Sequence, residues 1–218
     1  MPAIRAFVTE NGLFMSVMKY SGGVVRRLRD GLIARRLKTN GMRMGKFPRV
    51  QGLKHIEMGA NFSANNGLWL EAVTEFAGVR YEPHIKIGDN VSFSDFVHVG
   101  CTNRVEIGEG VLSGSHVLIT DHAHGSYAGT EQSSPATRPT QRKLSNDKSV
   151  LIGCNVWLGD GVVVLGGASI GDGCIVGANS VVNSAIPAYC IAVGSPARPI
   201  RRWDNVRQEW VRWGDAEA

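Results

Sequence analysis

Cysteine is scarce in this 218-residue chain, and it is not arranged for chemistry. Cys101, Cys154, Cys174 and Cys190 show no Cys-x-x-Cys spacing. That argues against a zinc ribbon, a redox motif or a disulfide framework, and for reduced thiols in a cytoplasmic setting. No apolar run approaches the roughly 18 residues needed to cross a bilayer. The first 30 residues lack the basic, apolar, small-residue order of a secretory leader, so none is expected. No phosphate-binding loop or dinucleotide fingerprint occurs. Aromatic residues make up only 7%. With 43% hydrophobic and 20% charged residues, the composition excludes a largely disordered chain.

What the chain has instead is glycine, 27 residues of it, and a period. From Ile87 it reads IGDNVS, FSDFVH, VGCTNR and, two residues later, IGEGVL, SGSHVL, ITDHAH. The pattern resumes at Ile152 with IGCNVW, LGDGVV, VLGGAS, IGDGCI, VGANSV and VNSAIP. Eleven of these twelve units begin with an apolar residue, Ser113 being the exception, and eight have Gly second. A helix would need apolar recurrence at three and four, and an ordinary strand at two. Six residues suit a short strand plus a turn, with Gly, Asp and Asn in the turn. Stacked units bury the first position in a continuous column.

Runs such as IGDNV, IGCNVWLGDGVVV and IGDGCIVGANSVV resemble the hexapeptide-repeat acyltransferases. The branch most similar contains galactoside and maltose O-acetyltransferases and O-antigen O-acetyltransferases, through DFVHV, ITDHAHGSY, NVWLG and VGSPARPI. The resemblance implies an all-β fold, a left-handed parallel β-helix spanning 56–202, with an interrupting loop at 125–149. It also implies acetyl-CoA as donor and a homotrimer with sites between subunits.

Several residues follow from it. His122, where the repeat yields to the loop, matches the family's general base; an imidazole suits proton removal at neutral pH. Trp157 matches a tryptophan of the donor groove. Ala178, Asn183, Ser184, Arg198 and Arg201 fall at coenzyme-binding positions, and the two arginines suit the nucleotide phosphates. Asn183 and Ser184 stand where the family often has Thr-Lys. Ser94 and Asp95 take the place of an acceptor-binding Asn, and His124 could touch the acceptor. Asp95 and Glu131 are candidates to orient His122; Asp121 is not, because on a strand it would face the other way. His122-x-His124 beside Asp121 could also be zinc spacing, although no metal is expected. No serine or cysteine pairs with a base at motif spacing, so direct transfer is expected.

The formal charge of +5 is concentrated. Residues 19–46 hold nine Lys or Arg against Asp30 alone. Residues 13–38 read as one or two amphipathic helices within an N-terminal basic segment, 1–55. It could cap the first coil or touch the anionic inner membrane. Nucleic acid is not expected, for want of stacking aromatics or a known motif. The tail 203–218 reads as a helix. The expected function is O-acetylation of a sugar hydroxyl of a surface polysaccharide or its precursor. The alternatives are a small-molecule acetyltransferase acting on an antibiotic or amino sugar, and a non-catalytic β-helix scaffold.

Overall fold

A computed structural model of the chain describes residues 23–145 and 147–214. The early part of the expected helical stretch, 13–22, lies outside the described residues. Three parallel sheets form the faces of a prism, and the chain visits them in rotation. One coil, for example, runs through Ser92–Phe93, His98–Cys101 and Arg104–Ile107, each in a different sheet. The next runs through Leu112–Ser113, Leu118–Thr120 and, after the loop, Ser149–Ile152.

The period of six is the spacing between faces, and equivalent positions stack in register. Met58, Ile87, Ile107, Ile152, Ile170 and Ile186 form one buried column. Leu70, Val99, Ile119, Val164 and Val182 form a second. In the third, Phe93, Ser113, Leu158 and Val176 alternate in bulk. Ser113 is fully buried, and its hydroxyl has no hydrogen-bond partner among the described residues.

Two boundaries differ from expectation. The coils begin at Arg43–Met44 rather than at 56, with Arg49–Gln51 and Ile56–Met58 completing the first turn. Met44 and Val50 keep the six-residue spacing there and Met58 follows after two extra residues, but basic residues around them conceal the pattern. The described part of the tail, 203–214, is not a helix. Ala197–Asp204 folds back antiparallel on Cys190–Gly194, and Glu209–Arg212 pairs antiparallel with it in turn. Trp203 and Trp210 are directly opposite across this hairpin, their rings edge-on at 5.4 Å. The Asp204 carboxylate accepts the Val206 and Arg207 backbone N–H groups and so shapes the connecting turn.

The one α-helix among the described residues spans 23–37. Its inner face packs Ile33, Ala34 and Leu37 against the first coil. Arg29 binds Asp30 and donates to the Met44 and Gly45 carbonyls, and Asp30 accepts the Met44 N–H. Two excursions leave the prism. Glu75–Phe76 and Val79–Arg80 make a small antiparallel hairpin, and residues 121–148 make the long loop. They meet where the Leu144 N–H donates to the buried Tyr81 hydroxyl at 2.9 Å.

Candidate active site

The long loop leaves the prism at the corner after Leu118–Thr120, and His122 is placed by that departure. Strand alternation lapses after Thr120, so Asp121 and His122 turn toward each other. His122 Nδ1 lies 2.9 Å from Asp121 Oδ1. Asp121 is therefore the orienting carboxylate, and the expectation that it faces away is corrected. Its side chain is wholly inaccessible, while that of His122 is 15% exposed. Burial pushes the Asp121 carboxyl up. Hydrogen bonds from His122, from the Thr102 and Asn103 backbone and from Cys101 outweigh it and hold the group below the usual carboxylate range. The anion is thus a fixed feature of the corner. Of the other two candidates, Asp95 is committed to the backbone N–H and amide of Asn66, and Glu131 is exposed on the loop.

Nδ1 is bound to an anion, so the favoured neutral tautomer carries its proton there. That leaves His122 Nε2 free to accept, and it has no hydrogen-bond partner among the described residues. Thr120 Oγ1, 3.2 Å from Nδ1, reinforces the orientation. His124 is not a partner in this arrangement. It lies beyond the strand, its ring edge-on to Phe76 at 4.9 Å, and its carbonyl accepts the Tyr127 hydroxyl. Among the described residues no group of three His, Cys, Asp or Glu side chains gathers as a metal site.

A cleft of about 390 Å³ opens beside His122, lined by Ser126, Tyr127, Lys148, Leu165 and Asn183 among others. Its direction follows from the coil geometry. Thr120-Asp121, Leu165-Gly166 and Asn183-Ser184 are the same corner in three successive coils, and His122 follows directly on the first of them. Successive coils are separated by about 4.8 Å, so the cleft descends about 10 Å from His122 to Asn183. Next to Asn183, just outside the cleft lining, Arg198 Nη1 approaches Ser184 Oγ at 3.4 Å. His122, Asn183, Ser184 and Arg198 thus share one edge of the prism.

The remaining expected site residues lie elsewhere on the chain. Trp157 sits in the sheet of Leu112–Ser113, half exposed, between Leu112 and Ile175. Ala178 is exposed in a turn beside Gly159. Arg201 donates to the Trp210 carbonyl and so belongs to the terminal hairpin. Ser94 pairs through its backbone with Ser113, and Ser94 and Asp95 occupy a turn between faces.

A group of residues outside the expected site set adjoins His122. Trp69 and His98 stack at 4.0 Å on adjacent coils, with the Arg49 guanidinium 4.4 Å from the Trp69 ring. Burial, then His122, then Arg49 push the His98 imidazole below its ordinary value, so it stays neutral. Its Nε2 is buried without a partner among the described residues. Between the two histidines lies Gly100, where an added Cβ would come within 3.3 Å of His122 Cε1 and 3.5 Å of His98 Nε2. A glycine inside a strand, with no turn to explain it, is the signal that could have pointed here.

The bacterial transferase hexapeptide (six repeats) family description matches residues 149–184. WbbJ of Escherichia coli K12, named for lipopolysaccharide biosynthesis O-acetyl transfer, is 39% identical over 192 residues, covering 87% of this chain and 93% of WbbJ. A Schizosaccharomyces pombe 972 protein named as an acetyltransferase is 36% identical over 129 residues, 54% of this chain and 56% of its own. In fold, the chain is similar to AntD, an N-acyltransferase from Bacillus cereus, in complex with dTDP and 3-hydroxybutyryl-CoA. That likeness has a TM-score of 0.55 at 17% identity, covering 74% of this chain and 80% of AntD. On the repeat architecture and on similarity along nearly the whole chain, this protein belongs to the bacterial hexapeptide transferases and is an acetyltransferase.

Proposed function

We propose that the protein transfers acetyl from acetyl-CoA to a sugar hydroxyl of a surface polysaccharide or its precursor. The observation that carries this reading is the Asp121–His122 pair at the head of a cleft that descends to Asn183, with Ser184 and Arg198 just beyond it. WbbJ, similar over most of both chains, bears the name of such an activity. The corner cleft fits a long, thin arm, and an exposed guanidinium just beyond its lower end fits an anionic nucleotide.

Acetyl-CoA supplies an activated thioester along this edge, with Asn183, Ser184 and Arg198 holding it. His122 Nε2 accepts the proton of the acceptor hydroxyl as its oxygen attacks the acetyl carbonyl. Asp121 stabilises the imidazolium that forms and keeps its ring in place. His122 then returns the proton to the departing thiolate, so the transfer is direct and its protons balance. The coil winds left-handed, and three chains associate so that Trp157 and Ala178 of one subunit complete the site of another. Such an enzyme works in the cytoplasm, where acetyl-CoA is made.

The test is incubation with acetyl-CoA and a panel of polysaccharides, sugar nucleotides and amino sugars, read by mass spectrometry before and after mild alkali. An alkali-labile acetyl on a saccharide is expected, since esters hydrolyse where amides persist. An alkali-stable acetyl confined to amino sugars would overturn the reading.

A further inference from the structure

The helix at 23–37 has two apolar faces, and only one of them is used. Ile33, Ala34 and Leu37 pack on the first coil. Val24, Leu28 and Leu32 follow at four-residue intervals along the opposite side, with Val25 beside them. Their exposures are 59%, 66%, 72% and 68% respectively. Four large aliphatic side chains in one exposed row depart from the usual placement of such residues. Arg35 and Arg36 continue the row and Arg27 flanks it, all three exposed. The segment's single acid, Asp30, is on the inner side, buried and bound to Arg29. The exposed face is therefore apolar and cationic with no anion.

A second feature lies nearby. Arg29 holds the turn at Met44 and Gly45, and two residues on, beside exposed Lys46, Phe47 is 84% exposed. The end of the prism at the first coil thus presents an aliphatic row, an aromatic ring and several cations.

We propose that this end of the molecule docks on an anionic lipid surface, with Val24, Val25, Leu28 and Leu32 at the acyl boundary and Arg27, Arg35 and Arg36 at the headgroups. An apolar stripe one helix wide, bordered by arginines, is the pattern of a helix lying in a membrane interface. Charge complementarity selects the occupant. A second copy paired face to face would set these arginines against their own kind, whereas anionic headgroups neutralise them. The inner face is a cap on the first coil, so capping and docking are two functions of one helix. The proposal is independent of the acetyl-transfer reading.

The test is co-flotation of the full chain with vesicles of phosphatidylcholine alone or mixed with phosphatidylglycerol, at low and high salt. Binding is expected only with phosphatidylglycerol, and it should fall as salt screens the charges. Leu28→Ser with Leu32→Ser should weaken it by about tenfold or more, and so should Arg27→Glu, Arg35→Glu and Arg36→Glu together. Both variants should keep the wild-type melting temperature, because none of these side chains packs inward. Failure of the wild type to bind at low salt would overturn the proposal. So would binding unaffected by both variants, or a serine variant whose only change is a smaller oligomer, since the row would then be covered by another copy.

Discussion

Asp121 and His122 are consecutive in sequence, and their side chains meet at 2.9 Å through Oδ1 and Nδ1. Neighbours on a strand point to opposite faces. The contact exists because the strand stops at Thr120 and the corner turns both side chains to one side. The pairing of this histidine with its carboxylate is thus produced by the interruption of the repeat.

Asp121→Asn should lower kcat by on the order of a hundredfold or more, because an amide can donate to Nδ1 and stabilise the wrong tautomer. The same variant has a pH signature in stability. The folded-state pKa of Asp121 is depressed, so its contribution is present above the ordinary carboxylate value and is lost as pH falls through the lowered one. Thermal unfolding should show the variant less stable than wild type at neutral pH, with the gap closing in acid below about pH 4. A gap that widened in acid would contradict the assignment.

Gly100→Ala tests the approach of the two histidines. The added methyl would press on His122 Cε1 from 3.3 Å without straining the backbone, since Gly100 is not among the positive-φ residues. Turnover should fall by roughly tenfold, as expected when a base is displaced by a fraction of an ångström. Acetyl-CoA affinity should hold. Unchanged steady-state kinetics would show that the base tolerates movement.

The two arginines expected at the coenzyme separate in the structure. Arg198 lies beside Ser184 just beyond the foot of the cleft, and Arg201 binds the Trp210 carbonyl. Arg198→Ala should raise KM for acetyl-CoA several-fold and more steeply at low salt, with kcat nearly constant. Arg201→Ala should instead lower the melting temperature slightly and leave KM alone. The reverse pattern in initial-rate and melting measurements would exchange their roles.

The period of six made the coils readable from residues such as Ile87, Ile107 and Ile152, because a buried column tolerates little besides aliphatic side chains. Pattern reading failed at the tail, where another constraint gives the spacing of a helix. Trp203, Val206, Trp210 and Trp213 recur as on a helix. In the molecule, the seven-residue separation of Trp203 and Trp210 is that of two residues opposite each other across a hairpin. The place of His122 at the loop junction was legible in the sequence. Asp121 was not, since the rule of alternation applies only while the strand lasts. The Trp69–His98 stack joins residues 29 apart in sequence, a contact only the coil register creates.

Ser113 breaks the first-position pattern, and its hydroxyl, buried between Phe93 and Leu158, has no partner among the described residues. Ser113→Ala should therefore stabilise the protein by about 1 kcal/mol, by relieving an unsatisfied polar group. Chemical denaturation would measure it. A loss of stability would mean that the hydroxyl has a role in the assembled protein.

The central claim is that His122 removes the acceptor proton, and comparing His122→Ala with wild type tests it most directly. The measurement is kcat at saturating acetyl-CoA, alongside acetyl-CoA affinity by calorimetry. The account predicts turnover lower by roughly a hundredfold or more with affinity largely intact. A folded variant with near-normal turnover would contradict it.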